Sequence, residues 1–275
     1  MILKTRTKQL HLQERTHIMG ILNVTPDSFS DGGSYTTVEK AVAQAVRMVE
    51  EGADMIDIGG ESTRPGHIPV TSEEEISRIV PVIQAIKAKL DVPISVDTFK
   101  ADTAEAAIEA GADIINDIWG AKKNPDIAKV AAKHHVPIIL MHNRTDENYI
   151  NLIEDMLEDL RESIAIAKAA GIPDEHIILD PGIGFAKTRD DDLLVMQQLE
   201  RFQELSYPLL LATSRKRMIG HILDVPPAER DTGTGATTCL GIVKGAQLVR
   251  VHNVKMNAEL AKITDAMLGK GAYDG

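Results

Sequence analysis

Polar side chains that interrupt apolar runs are the residues of this chain whose types and spacing could do chemistry. Arg250 and His252 alternate on the last predicted strand, so both side chains point to the same side. A guanidinium beside an imidazole suits an anionic group such as a phosphate. Asn116 ends a similar apolar run, and an amide can pair with the polar edge of a ligand. Asp57 ends another such run just before Gly59 and Gly60, and we expect it to be a supporting residue.

The elements that must position these residues recur along the chain. Segments 52–57, 111–116 and 245–250 each read Gly, Ala, a polar residue, two apolar residues and a polar residue. A glycine after a helical stretch suits a left-handed C-cap, and the apolar run after it suits a buried strand. Five further strand ends lack the Gly-Ala lead, at 18–23, 93–97, 136–142, 177–180 and 208–214.

Eight strand and helix units in 275 residues predict an α/β fold, a TIM (β/α)8 barrel that forms a single domain over 1–275. An open doubly wound sheet is the alternative, but no Gly-x-Gly-x-x-Gly follows the first strand, which weakens its dinucleotide-binding version. Alternation of period two within 1–16 predicts an N-terminal β-hairpin. In a barrel, the chemistry belongs at the C-terminal ends of the strands.

Helix signals recur between these strands. Thr36 with Glu39, and Thr71 with Glu74, have capping-box spacing, while Asn124 before Pro125 predicts an N-cap followed by the first helical residue. The longest helical pattern covers 149–170 and is ended by Gly-Ile-Pro. One helical face is predicted to consist of Val38, Ala41, Val42, Ala45 and Val49.

Composition restricts the partners and the compartment. The formal charge of -11 argues against a nucleic-acid partner but leaves anionic small substrates possible if cations are concentrated locally. The lone Cys239 excludes an internal disulfide framework and is compatible with a reducing cytosol. With no apolar run long enough for a signal sequence or a membrane span, we expect a cytoplasmic protein that does not bind membranes.

Two polar loops follow the first and second predicted strands. The first, 23–33, ends in two glycines and contains Phe29; the second, 59–66, places Arg64 between small residues and a proline. The first loop could close over a ligand, and Arg64 could bind a carboxylate or a phosphate. Each loop on its own could equally be a solvated connection rich in turn-forming residues.

These loops resemble the two signature loops of the dihydropteroate synthases, in the pterin-binding family. The resemblance continues through ordered motifs at strand ends across nearly the whole chain: 95–98, 115–117, 140–142, 179–182, 214–216 and 250–252. It implies a TIM barrel that joins 6-hydroxymethyl-7,8-dihydropterin pyrophosphate to p-aminobenzoate and releases pyrophosphate. It also implies a homodimer formed through the late helices.

The resemblance implies a pterin site whose groups match the ring chemistry. Asp97, Asn116 and Asp180 would hold the donor and acceptor edge of the pterin, with Lys216 as a donor beside the ring. The alternative for the two aspartates is a helix cap or a structural ion pair.

For the pyrophosphate, the implied residues are Asn23, Arg64, Arg250 and His252. Mg²⁺ is the expected cofactor, with Asn23 as an oxygen ligand. A lone histidine in an apolar strand is more often structural, but its spacing from Arg250 favours a role at the barrel mouth.

The implied mechanism forms a carbon–nitrogen bond at the pterin methylene carbon. Arg250, His252 and Mg²⁺ would stabilise the departing oxygen, and Asp31 would face a pterin-methyl cation. With Lys216 these residues form the predicted catalytic set, and no Ser-His-Asp triad is required. The implied p-aminobenzoate pocket, where sulfonamides should compete, consists of Phe29, Thr63, Pro65, Phe185 and Ser214.

The sequence departs from the family pattern at Ile183 and Ala186, which concerns the shape of the pocket, and at 143–145. Lys187 is a weaker candidate for substrate contact, and His142 is treated as a neighbour of the site.

Two rivals remain: a methyltetrahydrofolate:corrinoid methyltransferase, and a non-catalytic pterin-binding protein. The spacing of Arg250 and His252 and the loop that carries Arg64 favour the synthase over the methyltransferase. Binding alone would not need all of Asn23, Asp31, Lys216, Arg250 and His252, which argues against the non-catalytic protein.

Overall fold

The computed structural model describes residues 1–25, 34–61 and 69–271. Within them, eight parallel strands form one sheet. The strands are β3 (His17–Asn23), β4 (Met55–Gly59), β5 (Ile94–Asp97), β6 (Ile114–Asp117), β7 (Ile138–Met141), β8 (Ile177–Asp180), β9 (Leu210–Leu211) and β10 (Leu248–Val251). Their order in the sheet is β8-β7-β6-β5-β4-β3-β10-β9.

The two ends of this sheet meet between β8 and β9. Leu179 pairs in parallel with Leu209, and its backbone N–H donates to the carbonyl of Pro208 at 2.9 Å. The predicted TIM barrel is therefore confirmed, and the open doubly wound alternative is wrong.

Helices follow the strands around the outside of the barrel. They are α1 (Ser34–Glu50), α2 (Ser72–Lys89), α3 (Ala101–Ala110), α4 (Asp126–His134), α5 (Leu152–Ala169), α6 (Arg189–Gln197), α7 (Arg217–Leu223), α8 (Asp231–Val243) and α9 (Val254–Met267). The predicted face of α1 packs on the outer core, with Ala41 and Ala45 fully buried. In the described parts of the chain, no helix combines the length and the apolar character needed to cross a membrane.

The three Gly-Ala repeats form the predicted helix, stop and strand. Gly52, Gly111 and Gly245 have φ values of 105°, 118° and 97°, in the left-handed region that favours glycine. Each glycine turns the chain from a helix toward the strand that follows it. The repeat therefore places its final polar residue at the third position of a barrel strand.

Helix starts agree with the sequence in part. Thr71 caps α2 by accepting from the backbone N–H of Glu74 at 3.2 Å, as predicted. The prediction at Asn124 was wrong by one residue: Pro125 itself is at the N-cap position, without a side-chain cap bond, and α4 begins at Asp126. The longest predicted helix begins at Leu152, after Asn151, rather than near residue 149. The side chain of Thr36 lies outside the described residues.

The predicted hairpin is confirmed as β1 (Ile2–Lys4) paired antiparallel with β2 (Gln9–His11). Its Leu3 and Leu10, with Leu12 after it, belong to a core cluster separate from the one under the helices. The same cluster contains the inward-facing strand residues Met19, Met55, Ile114, Ile139, Ile178, Leu210 and Leu248. The hairpin thus covers the N-terminal end of the barrel and leaves the C-terminal end for the site.

Candidate active site

A polar layer lies directly above the apolar layer inside the barrel. Asp57, Asn116, Asp180 and Arg250 each follow an inward-facing apolar residue by two positions, after Met55, Ile114, Ile178 and Leu248 respectively. Because side chains alternate along a strand, all four polar groups point into the barrel near its C-terminal end. The spacing of the sequence repeat therefore accounts for the convergence of these groups.

Arg250 is the centre of this layer. Its Nε donates to Oδ2 of Asp57 at 2.6 Å, and its Nη2 donates to Oδ2 of Asp97 at 2.8 Å. Nδ2 of Asn116 donates to the same oxygen of Asp57 at 3.2 Å. Arg250, predicted for the pyrophosphate, thus contacts the predicted pterin residue Asp97 directly and is linked to Asn116 through Asp57.

Burial and neighbouring charges shift the pKa values of the groups in this network. Burial alone would lower the pKa of Arg250, but the carboxylates of Asp57 and Asp97 raise it, so the guanidinium stays charged. Burial and the neighbouring Asp57 raise the pKa of Asp97, while Arg250 opposes that shift. Oδ1 of Asp57 and Oδ1 of Asp97 are buried and receive no hydrogen bond from the described residues. A bound ligand with N–H donors would satisfy the acceptor on Asp97.

Asp180 and Lys216 lie at the neighbouring strands β8 and β9. The carboxylate of Asp180 is 3% exposed, accepts from the backbone N–H of Gly182 at 2.7 Å, and has its pKa raised by burial. Lys216 directly precedes α7, and its Nζ lies 4.2 Å from the centre of the Phe185 ring. Loss of hydration, reinforced by Arg250, lowers the pKa of Lys216 to about 8.

Ser214 and His252 form a direct pair. The Ser214 hydroxyl lies 2.9 Å from Nδ1 of His252 and accepts from the backbone N–H of His252 at 3.1 Å. The structure therefore joins a residue predicted for p-aminobenzoate to one predicted for pyrophosphate. Between Ser214 and Lys216, Arg215 has φ 57° and makes a bidentate ion pair with Asp231 at 2.7 and 2.9 Å.

Asn23 ends β3 and pairs with Gly59 of β4. A Cβ placed on Gly59 would lie 3.7 Å from the Asn23 side-chain oxygen and 3.8 Å from Oδ2 of Asp97. The predicted metal and pyrophosphate residue is therefore close to the network around Arg250. Among the described residues, no group of three or more His, Cys, Asp or Glu side chains could hold a metal ion.

The remaining predicted residues cannot be placed in this site. Phe29, Asp31, Thr63, Arg64 and Pro65 lie outside the described residues. Their predicted roles stay predictions.

A partly exposed ammonium group that joins three segments was not identified from the sequence. Lys100 contacts the carboxylate of Glu61 and donates to Oε2 of Glu75 at 2.8 Å and to the carbonyl of Val70 at 2.7 Å. It thereby connects residues 61 and 70 to α2. No motif or spacing in the sequence indicates these contacts, because the partners come from separate segments.

Comparison with known proteins agrees with this geometry. The family described as pterin binding enzyme matches residues 19–252. The dihydropteroate synthase of Bacillus subtilis is 60% identical over 98% of this chain and 95% of its own length. A solved dihydropteroate synthase of Xanthomonas albilineans, in complex with 7,8-dihydropteroate, has a TM-score of 0.90 and 40% identity over 98% of this chain and 99% of its own. A Yersinia pestis dihydropteroate synthase, in a sulfonamide drug complex, has a TM-score of 0.91 and 40% identity over 98% and 100%.

The chain therefore belongs to the family of pterin-binding enzymes. Within that family its place is among the dihydropteroate synthases, transferases that form a carbon–nitrogen bond in folate synthesis. The predicted family and enzyme class are confirmed, and the relatives favour the synthase over the corrinoid methyltransferase.

Proposed function

We propose that this chain condenses 6-hydroxymethyl-7,8-dihydropterin pyrophosphate with p-aminobenzoate to give 7,8-dihydropteroate and pyrophosphate. The observation that carries the proposal is the network in which Arg250 bridges Asp57 and Asp97 next to Asn116. Such a network places buried acceptors for a polar ring beside a permanent cation for a phosphate group.

The pterin ring would be held by Asp97, Asn116 and Asp180. Each side chain is almost completely buried, so a ligand edge that pairs with them is shielded from water. The spare Oδ1 of Asp97 supports this assignment, since a ring N–H or amino group would supply its missing donor. Lys216, beside Phe185, would donate from the barrel wall.

In the reaction, the bond between the methylene carbon and the pyrophosphate oxygen breaks, and its electron pair leaves with that oxygen. Arg250 and His252, with Arg64 as a further predicted partner, would stabilise the growing negative charge. The amine of p-aminobenzoate supplies the electron pair of the new carbon–nitrogen bond and then loses a proton. Asp31 is the proposed residue that faces the cationic methylene carbon.

For p-aminobenzoate we propose walls formed by Phe185 with Phe29, Thr63 and Pro65. Ser214 is the proposed donor to its carboxylate, although its hydroxyl already pairs with His252, so the two roles would be coupled. Sulfonamide binding to this chain is part of the same proposal, supported by the relative that carries a sulfonamide drug.

Mg²⁺ fits this site as an ion carried by the substrate. Asn23 offers one amide oxygen close to the Arg250 network, while the neighbouring carboxylates of Asp57 and Asp97 are already engaged by a guanidinium. Mg²⁺ commonly keeps several waters and binds through few protein ligands plus substrate phosphates. When bound, it would neutralise charge on the leaving pyrophosphate.

We also propose a homodimer formed by the outer faces of α8 and α9. The helices pack against each other, and exposed apolar residues continue from α7 across both: Ile222, Leu223, Leu240, Val243, Ile263, Met267 and Leu268. An apolar face of this kind on adjacent helices is typical of a protein interface. Sedimentation of Ile263→Lys and Met267→Lys should show a monomer. Ile150→Lys, which alters a fully exposed side chain before α5, should sediment as the unchanged protein does.

Calorimetry with separated substrates tests the proposed reaction. Pterin pyrophosphate with Mg²⁺ should bind alone, and product and pyrophosphate should form only after p-aminobenzoate is added. Tight pterin binding without turnover would support the non-catalytic alternative instead. No pterin binding at all would contradict the assigned site.

A cytoplasmic location remains part of the proposal, in keeping with the single cysteine.

A further inference from the structure

Lys187 is a buried ammonium group for which the proposed reaction has no direct use. It is 2% exposed, and its described hydrogen bonds go to an imidazole and two backbone carbonyls rather than to a carboxylate. Its Nζ lies 2.9 Å from Nδ1 of His142, 3.1 Å from the carbonyl of Gly182 and 3.0 Å from the carbonyl of Phe185. An ammonium has three N–H donors, so these three acceptors use all of them.

The protonation of His142 agrees with this arrangement. Its Nε2 lies 2.9 Å from Oδ2 of Asp159, and a carboxylate can only accept, so Nε2 carries the hydrogen. Nδ1 is then an acceptor for Lys187. Burial lowers the pKa of His142 to about 4, which keeps the imidazole neutral. Burial also lowers the pKa of Lys187 to about 7, while the nearby carboxylates of Asp192 and Asp180 favour its charged form.

The two carbonyls belong to the loop that connects β8 to α6, and this loop shapes the site. At its start, the Gly182 N–H donates to the Asp180 carboxylate at 2.7 Å. Gly182 has φ 67°, and a Cβ there would lie 2.1 Å from the carbonyl oxygen of His142, so the loop is packed tightly against β7. Further along, the Phe185 ring contacts the ammonium of Lys216.

We propose that Lys187 is a positioning residue. By bonding to His142 and to the carbonyls of Gly182 and Phe185, it holds in place the loop that orients Asp180 and Phe185. It acts through this loop and does not touch the substrate. The inference rests on the proposed function, because it assigns the loop to the pterin and p-aminobenzoate sites. Asp159 belongs to the same chain of contacts, since it fixes the hydrogen on His142.

Lys187→Met tests this role because methionine has a similar volume but no donors. We expect the Kd of pterin pyrophosphate, measured by calorimetry, to rise about tenfold or more, together with the KM of p-aminobenzoate. The kcat at saturation should stay within about threefold, because Arg250 and His252 are not altered. A variant that merely loses folded protein would show a lower apparent kcat with unchanged Kd and KM.

Two further variants complete the experiment. Lys168→Met, on the exposed side of α5, is the matched control and should leave Kd and KM unchanged. Asp159→Asn, in a partly exposed position, should raise the pterin Kd in the same direction by about threefold even if Lys187→Met does not fold. An unchanged Kd in folded Lys187→Met, or in Asp159→Asn if Lys187→Met does not fold, would overturn the positioning role. Failure of the unaltered protein to bind pterin pyrophosphate would instead contradict the proposed function.

Discussion

Arg250 reaches from β10 across β3 to donate a 2.6 Å hydrogen bond from Nε to Oδ2 of Asp57 on β4. Asp57 also accepts from Asn116 and is completely buried. It therefore orients two predicted substrate residues without being predicted to touch the substrate. The positive charge of Arg250 is therefore shared by two carboxylates, those of Asp57 and Asp97.

Removing this aspartate should affect stability and activity together. Asp57→Ala leaves Nε of Arg250 and Nδ2 of Asn116 without their acceptor in a buried site, so we expect the free energy of unfolding to fall by about 2–4 kcal/mol. We expect kcat/KM to fall at least about tenfold, because the guanidinium loses its orientation. Urea unfolding and steady-state kinetics measure the two effects. Full activity in a folded Asp57→Ala protein would contradict the role given to this residue.

The same substitution at an exposed aspartate shows whether the loss of stability and activity depends on the buried position of Asp57. Asp126 is mostly exposed and pairs with Lys129 on the surface of α4. Asp126→Ala should change the free energy of unfolding by no more than about 0.5 kcal/mol and leave kinetics unchanged.

The contact between Ser214 and His252 leads to a second prediction. Ser214→Ala removes the hydroxyl that fixes Nδ1 of His252, so the imidazole should become less well oriented. We expect kcat to fall by about tenfold if His252 stabilises the leaving group. If Ser214 also binds the carboxylate of p-aminobenzoate, the KM of that substrate should rise as well.

Imidazole NMR provides the complementary measurement. In the unaltered protein the resonances of His252 should report one dominant hydrogen-bonded state, and in Ser214→Ala they should report tautomer exchange. Unchanged His252 resonances in the variant would show that the backbone, rather than the hydroxyl, determines the ring orientation.

Lys216 should make pterin binding depend on pH. Its pKa is lowered to about 8, so the ammonium loses its proton as the pH rises through that value. The association constant for anionic pterin pyrophosphate should then decrease with a slope of about −1 in log units per pH unit above about pH 8. Calorimetry across this range measures the slope.

The origin of this pH dependence can be assigned with two variants. Lys216→Met should bind more weakly near neutral pH and show a shallower slope above about pH 8. Lys129→Met, which alters an exposed residue of α4, should keep the original profile. If Lys216→Met retains the full slope, another group is responsible for the pH dependence.

The positions of Asp57, Asn116 and Arg250 could be predicted from the sequence because a strand has a strict period of two. Each lies two residues beyond an inward-facing apolar residue, and parallel strands bring such positions to one level of the barrel. Their partners could be predicted less well. The sequence predicts that these groups converge, but the choice between ligand contact and mutual ion pairing depends on side-chain geometry.

The contact of Ser214 with His252 was not predictable for a different reason. The turn between Ser214 and Lys216 depends on a left-handed, non-glycine Arg215, which Asp231 of α8 stabilises through a bidentate ion pair. Local sequence favours glycine at such a φ value, so the conformation follows from a tertiary contact. The same is true of Lys187, whose three acceptors become neighbours only after β7 and the loop after β8 have packed.

A final prediction concerns stability at the opposite end of the barrel. Asp54 precedes β4 and accepts from the Ile18 N–H at 2.8 Å and from Arg15 at 3.0 Å, with His17 3.6 Å away. Burial would raise the pKa of this carboxyl, but the nearby His17 and the hydrogen-bonded guanidinium of Arg15 lower it from 3.8 to about 2. Because the folded pKa lies below the unfolded one, the ionised group stabilises the fold above about pH 4, and this contribution is lost as the pH falls toward about 2.

Asp54→Asn should therefore lower the free energy of unfolding by about 2 kcal/mol near neutral pH, the value that corresponds to this pKa difference. The gap between variant and unaltered protein should narrow steadily as the pH falls from about 4 to about 2, where the aspartate of the folded protein takes up its proton. Urea unfolding at a series of pH values measures the gap, with Asp126→Asn as an exposed control that shows little change at any pH. A gap that stays constant over this range would mean that the hydrogen-bond geometry of Asp54, rather than its charge, stabilises the start of β4.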